Sequence, residues 1–139
     1  MAPQSPISVL GEDECWQLLS SVSLGRLVST IGTRIEIFPV NFVVQHRTVL
    51  FRTAEGTKLI STLLNDRVVF EADDHTVVSG WSVIVRGIPE LLETPEDLAE
   101  AERAQLLPWT ATVKRRYVRI QPKEISGRSF VFGSAAGDV

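Results

Sequence analysis

Four side chains near the middle of the chain have the chemistry to hold an anion. Arg52 and Thr53 close a run of strand-forming residues, and Thr57 and Lys58 follow across a turn that contains Gly56. Beyond the turn, Leu59, Ile60, Leu63 and Leu64 recur at helical spacing, so Thr57 and Lys58 fall in the first turn of an expected helix over 56–66. A helix N-terminus offers unpaired N–H groups and the positive end of a dipole. With a guanidinium, an ammonium and two hydroxyls added, the stretch suits a phosphate: charge gives affinity, and amides and hydroxyls give orientation.

Other chemistries find little support. His46 and His75 are the only histidines and lie outside any metal-ligand spacing, so a solvated loop is the better reading of His75 beside Asp73 and Asp74. No serine sits in a glycine-flanked elbow, and Cys15 falls on the apolar face of a helix, where a thiol is inert. Glu100 and Glu102 read as a solvated acidic face, and no dinucleotide or Walker-type glycine loop is present. By elimination, chemistry here comes from a bound cofactor that the protein orients. Pro39-Val40-Asn41-Phe42 offers an open strand whose backbone amides suit the rim of a planar heterocycle. Gly80-Trp81-Ser82-Val83 offers an aromatic wall and a hydroxyl.

The elements that position these residues are mostly strands. Residues 1–9, rich in Pro and Ser, read as an N-terminal arm, ordered only where a partner surface holds it. A helix is expected over 12–23, with Glu12, Asp13 and Glu14 favouring its dipole. Strands over 26–31, 34–45 and 48–53, joined by tight turns, form an antiparallel meander. Pro39 marks an edge or bulge in the second of them, because proline cannot donate to a ladder. Further strands follow over 67–72 and 79–93, with bends at Gly80 and Gly87, and residues 73–76 form a polar loop between them. Thr94-Pro95-Glu96-Asp97 starts a helix that runs to about Leu107. Residues 114–122 alternate as a half-buried strand, and 125–133 read as a separate short final one. About six strands and three helices make a mainly β protein, an antiparallel barrel with flanking helices.

The bulk properties narrow the setting. A chain of 139 residues, 44% hydrophobic and 22% charged, suits one core-forming domain. The net charge of −3 and pI near 5.4 argue against general nucleic-acid or anionic-membrane binding, so an anion site must be local. One cysteine excludes an internal disulfide, and neither a signal peptide nor a membrane-spanning run is visible; a cytoplasmic protein is expected.

Taken together, Gly25-Arg26-Leu27, Pro39-Val40-Asn41-Phe42, Phe51-Arg52-Thr53 with Gly56 and Lys58, Phe70-Glu71, and Gly80-Trp81-Ser82-Val83 with Gly87 resemble the pyridoxamine 5′-phosphate oxidase-like split β-barrel family. The resemblance spans roughly residues 10 to 130. It implies a six-stranded antiparallel split barrel and a homodimer with FMN at the subunit interface. It places Arg52, Thr53, Thr57 and Lys58 at the flavin phosphate and ribityl chain, Pro39, Val40, Asn41 and Phe42 along the ring, and Ser82 at a polar contact. Trp81 and Trp109 would close the site from the partner chain. The ending Ile125-Ser126-Gly127-Arg128-Ser129-Phe130 lacks the Arg/His motif of the true oxidases, which argues against pyridoxamine phosphate oxidation. The implied activity is an FMN-dependent oxidoreductase acting on a small substrate. The alternatives within the family are a deazaflavin-dependent reductase, with Arg115, Arg116 and Arg119 lining a basic groove, and a non-catalytic flavin- or haem-binding module.

Overall fold

The computed structural model describes residues 6–54, 67–106 and 115–133. Its elements run β1 (Ile7–Val9), α1 (Glu12–Leu19), β2 (Leu24–Ile31), β3 (Arg34–Gln45), β4 (Thr48–Ala54), β5 (Val68–His75), β6 (Ser79–Leu91), α2 (Pro95–Glu102) and β7 (Arg115–Val131). The expected helix over 56–66 lies outside the described residues. The strands form one sheet in the order β1-β7-β4-β3-β2-β5-β6, and β6 also pairs with β7, so β2 to β7 close into an antiparallel barrel. Closure leaves β1 as an extra strand on the flank of β7, held by Ile7 against Phe130 and Val9 against Arg128.

Alternation dictates the core. Along β3, Val40 and Phe42 point inward and are buried, while Ile35, Ile37 and Pro39 point outward and are exposed. Phe42 and Phe70 meet edge to face inside, with ring centroids 4.7 Å apart. Gly25 makes that packing fit: a Cβ there would lie 2.3 Å from the Phe70 ring and 2.9 Å from the Glu71 carbonyl oxygen. The two-residue turn between β3 and β4 has positive φ at both His46 and Arg47, the geometry that matches strand twist in a hairpin. Arg47 then reaches across to Asp13 on α1 at 2.7 Å.

The structure departs from the expected elements at several places. Residues 7–9 are not a detached arm, because β7 offers them an open edge. Residues 73–75 continue β5 rather than forming a loop, paired with Ser82, Trp81 and Gly80 of β6. The two strands expected over 114–122 and 125–133 are one strand, β7, which runs through Pro122. Pro122 pairs with Gly87 and Glu124 with Arg86, so β7 carries one extra residue, Lys123, at this point. A bulge of this kind absorbs a residue that cannot donate to the ladder. Pro95 starts α2 as expected, with Thr94 Oγ1 accepting from the Asp97 N–H at 3.1 Å. The helix ends at Glu102, short of the expected Leu107.

Candidate functional site

The sheet splits where the sequence places a ligand. β3 pairs with β2 from Arg34 to Asn41 and with β4 only from Phe42 to Gln45. β4 in turn pairs with β3 from Thr48 to Phe51, while Arg52, Thr53 and Ala54 pair with β7. Past the Phe42–Phe51 pair the two strands therefore have no mutual ladder among the described residues. Pro39, Val40 and Asn41 lie on one side of the gap and Arg52 and Thr53 on the other. The proline reading as an edge residue is borne out: Pro39 pairs with Arg26 and has no β4 partner.

Each flank is held from beneath. Val40 pairs with Gly25, over the Phe42–Phe70 contact, which fixes the height of the Pro39–Asn41 backbone. On the other flank the Arg52 guanidinium donates through Nη1 to the Leu106 carbonyl at 2.7 Å and sits 5.0 Å over the Tyr117 ring. A guanidinium has five N–H donors in a fixed fork, so anchoring it on one carbonyl orients the rest. The gap thus combines a strand edge with outward backbone groups and a positioned cation at one end. Those are the donors that a planar heterocycle with a phosphate tail requires. Thr57, Lys58 and Trp109 lie outside the described residues.

Trp81 and Ser82 fall elsewhere. They are on β6, and β5 and β2 stand between β6 and β3, so about 14 Å separates them from the gap at ordinary strand spacing. The Ser82 hydroxyl donates to Glu71 Oε2 at 2.9 Å. One chain does not bring this wall and the β3/β4 gap around a single ring.

Sequence reasoning passed over the cluster that Ser82 joins. Arg26 Nη1 lies 2.7 Å from Glu71 Oε1 and 3.1 Å from Asp73 Oδ2 on the outer face of the sheet. Arg26 is the register partner of Pro39, so this cluster begins one strand from the gap. Partial burial pushes the Glu71 carboxyl above its ordinary value, and the neighbouring Asp73 carboxyl adds to that. Hydrogen bonds from Ser82 and Arg26 pull the other way. The signal was available: Arg26, Glu71 and Ser82 each belong to a motif already singled out, but only strand order makes them neighbours.

Of the three arginines expected to line a basic groove, Arg119 is committed elsewhere. Arg119 is only 6% exposed and donates to Thr48 Oγ1 at 2.7 Å, Gln45 Oε1 at 2.9 Å and Glu100 Oε1 at 3.4 Å. Its place on β7 aims it beneath α2, where it supports the helix instead of facing a ligand. Cys15 is fully buried, and its thiol is pushed up by that burial and by Glu14 and Glu12, consistent with an inert side chain.

Comparison with known proteins bears on the family and the fold. The family model for pyridoxamine 5′-phosphate oxidase matches residues 11–129. The uncharacterized protein Rv3129 of Mycobacterium tuberculosis is 62% identical over 91 residues, covering 66% of this chain and 83% of that protein. The solved structure of the FAD binding protein from Mycobacterium smegmatis is 60% identical, with a TM-score of 0.83, covering 91% of this chain and 100% of that one. A solved structure from Corynebacterium glutamicum is 44% identical, with a TM-score of 0.88, covering 96% of this chain and 99% of that one.

Proposed function

This chain belongs to the pyridoxamine 5′-phosphate oxidase-like family of flavin-binding split barrels, and from that premise we propose that it is a flavin-dependent oxidoreductase acting on a small substrate. The observation that carries the proposal is the split between β3 and β4, with Pro39–Asn41 on one flank and Arg52–Thr53 on the other. When bound, a flavin supplies two-electron transfer that no side chain here can supply. The protein's part is to hold it. Backbone groups of Pro39, Val40 and Asn41 meet the ring edge, and Arg52 and Thr53, with Thr57 and Lys58, meet the phosphate.

The ligand proposed from the sequence is FMN. FAD, named for the 60% identical Mycobacterium smegmatis protein, contains the same ring, ribityl chain and first phosphate, and both ligands use the same anchors. A second copy of the chain is part of the proposal. Ile35 and Ile37 stand 71% and 62% exposed on the outer face beside Pro39, and Leu24 lies on the same face. An apolar stripe of this kind gains from being covered. The partner's Trp81, Ser82 and Trp109 would then complete the far wall. A cytoplasmic setting fits a chain with one buried thiol.

The deciding experiment is the absorption spectrum of the purified protein, followed by titration with FMN, FAD and riboflavin. Bound flavin with turnover of NAD(P)H and an acceptor supports the reading. Protein that takes up neither flavin nucleotide overturns it, and a haem or deazaflavin spectrum replaces it with one of the family alternatives. Lys58→Ala is expected to weaken FMN by roughly 1.5–3 kcal/mol, the range for a hydrogen bond to a charged group, and to leave riboflavin nearly unchanged.

A further inference from the structure

Tyr117 stands on β7, on the side of β4 away from the split, and is buried. Arg52 and Tyr117 are register partners, so their side chains share one face of the sheet, with the Leu50–Arg119 pair two residues along. The guanidinium carbon of Arg52 lies 5.0 Å from the Tyr117 ring centroid, inside the ~6 Å over which an aromatic face attracts a cation. The ring stands on fixed backbone: the Leu92 N–H donates to the Tyr117 carbonyl at 3.0 Å, on the side of β7 away from β4.

The second hold on Arg52 comes from the end of α2. The Ala104 and Gln105 N–H groups close back on the Ala101 and Glu102 carbonyls at 3.1 Å each, and Gln105 takes a positive φ of 53°. A left-handed residue commonly stops a helix, but glycine usually supplies it, and a glutamine there is uncommon. Directly after it the Leu106 side chain is buried, and its carbonyl accepts from Arg52 Nη1 at 2.7 Å.

The two contacts act differently. The carbonyl takes an N–H donor. The ring takes none, because a π face attracts the charge and leaves the donor fork to other acceptors. An arginine loses rotamer freedom when it grips an anion, and one that is already held loses less. A cation fixed in this way favours a ligand that carries a phosphate over the same ligand without one.

We propose that Tyr117 is the positioning residue for phosphate selectivity. It touches no ligand and, with the Leu106 carbonyl, presets the Arg52 guanidinium so that flavin nucleotides are preferred over riboflavin. That role rests on the proposed flavin site, whose phosphate end includes Arg52.

The test is the ratio of FMN to riboflavin affinity, measured by quenching of flavin fluorescence on wild type, Tyr117→Phe and Tyr117→Leu. Tyr117→Phe keeps the ring face and should hold the wild-type ratio. Tyr117→Leu should lower the ratio by roughly fivefold or more, with riboflavin nearly unchanged. In an Arg52→Ala background Tyr117→Leu should change the ratio no further, because the ring acts only through the cation. A second measurement needs no Tyr117 variant. In the flavin-free wild-type chain the Nη protons of Arg52, assigned with Arg52→Lys, should give separate NMR signals, since a held guanidinium does not rotate freely about Nε–Cζ.

Equal losses of FMN and riboflavin in Tyr117→Leu overturn the proposal. So does a Tyr117→Phe ratio as low as that of Tyr117→Leu, or a drop that persists undiminished without Arg52. Averaged Nη signals overturn it even where Tyr117→Leu does not fold. A wild-type chain that takes up no flavin overturns the flavin reading and this role together; flavin uptake with failure in the other arms removes this role alone.

Discussion

The outer face of the barrel is finished in two different ways. Over β4 and β7 the chain covers itself. Glu100 of α2 meets Arg119, Gln45 Nε2 donates to the Glu100 carbonyl, and Arg52 is tied to the Leu106 carbonyl. Over β2 and β3 the same face stays bare among the described residues, with Ile35 and Ile37 outward. Sheets bury one face in the barrel and need a reason to leave apolar groups on the other. The self-covered half is therefore a structural device, and the bare half beside the split is where a partner chain and a ligand are expected.

Substitutions that separate the two halves test this contrast. The largest effect is expected under α2. Arg119→Ala removes the donor to Thr48 and Gln45 and opens a space beneath the helix, so unfolding stability should fall by about 3 kcal/mol. Calorimetry should then show Tm lower by roughly 10 °C; a shift of a degree or two would mean that α2 does not rely on it. Gly87→Ala tests the wall itself. The new Cβ would sit 2.2 Å from the Gln121 carbonyl oxygen, a backbone atom that cannot rotate away. A loss of about 1–3 kcal/mol is expected, measured by denaturant titration.

Glu71 stands between the halves and gives a pH test. Its folded value is raised, so the folded state holds that proton more tightly than the unfolded chain does. The stability it contributes is complete below the ordinary glutamate range and is lost as pH rises through the raised value. Urea midpoints of wild type and Glu71→Gln, followed from neutral into mildly acidic pH, should show the wild type gaining on the variant. The reverse trend would mean that the Arg26 contact outweighs burial. The smallest effect on folding is expected on the bare face. Ile35→Asp with Ile37→Asp should change chain stability by under about 0.5 kcal/mol, as surface substitutions do. Sedimentation should nevertheless show the proposed dimer dissociating; a dimer that survives would place the interface elsewhere.

Legibility differed by residue. β3 was read to its observed ends because outward Ile35 and Ile37 alternate with inward Val40 and Phe42, and a period of two belongs to strands. Thr94 and Pro95 announced α2 because a cap and a first-turn proline act locally. The break expected in β7 failed because Pro122 reads as a stop, and only the extra residue beside it, Lys123, set against Arg86 and Gly87 of β6, shows how the ladder continues. Arg119 looked like a groove cation because strand alternation cannot say whether a helix covers the outer face.

The sequence by itself determined the strand-rich pattern, the cap of α2, the proline edge in β3 and the pairing of an arginine with a threonine at the end of β4. All of these rest on neighbours within a few residues. Only the tertiary structure decided which strands part, because ladders join residues far apart in the chain: Arg26 to Pro39 and Glu71, Arg52 to Tyr117. That same ordering put Trp81 three strands from Asn41 and beside α1. It left the split between β3 and β4 on one side of the barrel and Trp81 with Ser82 on another.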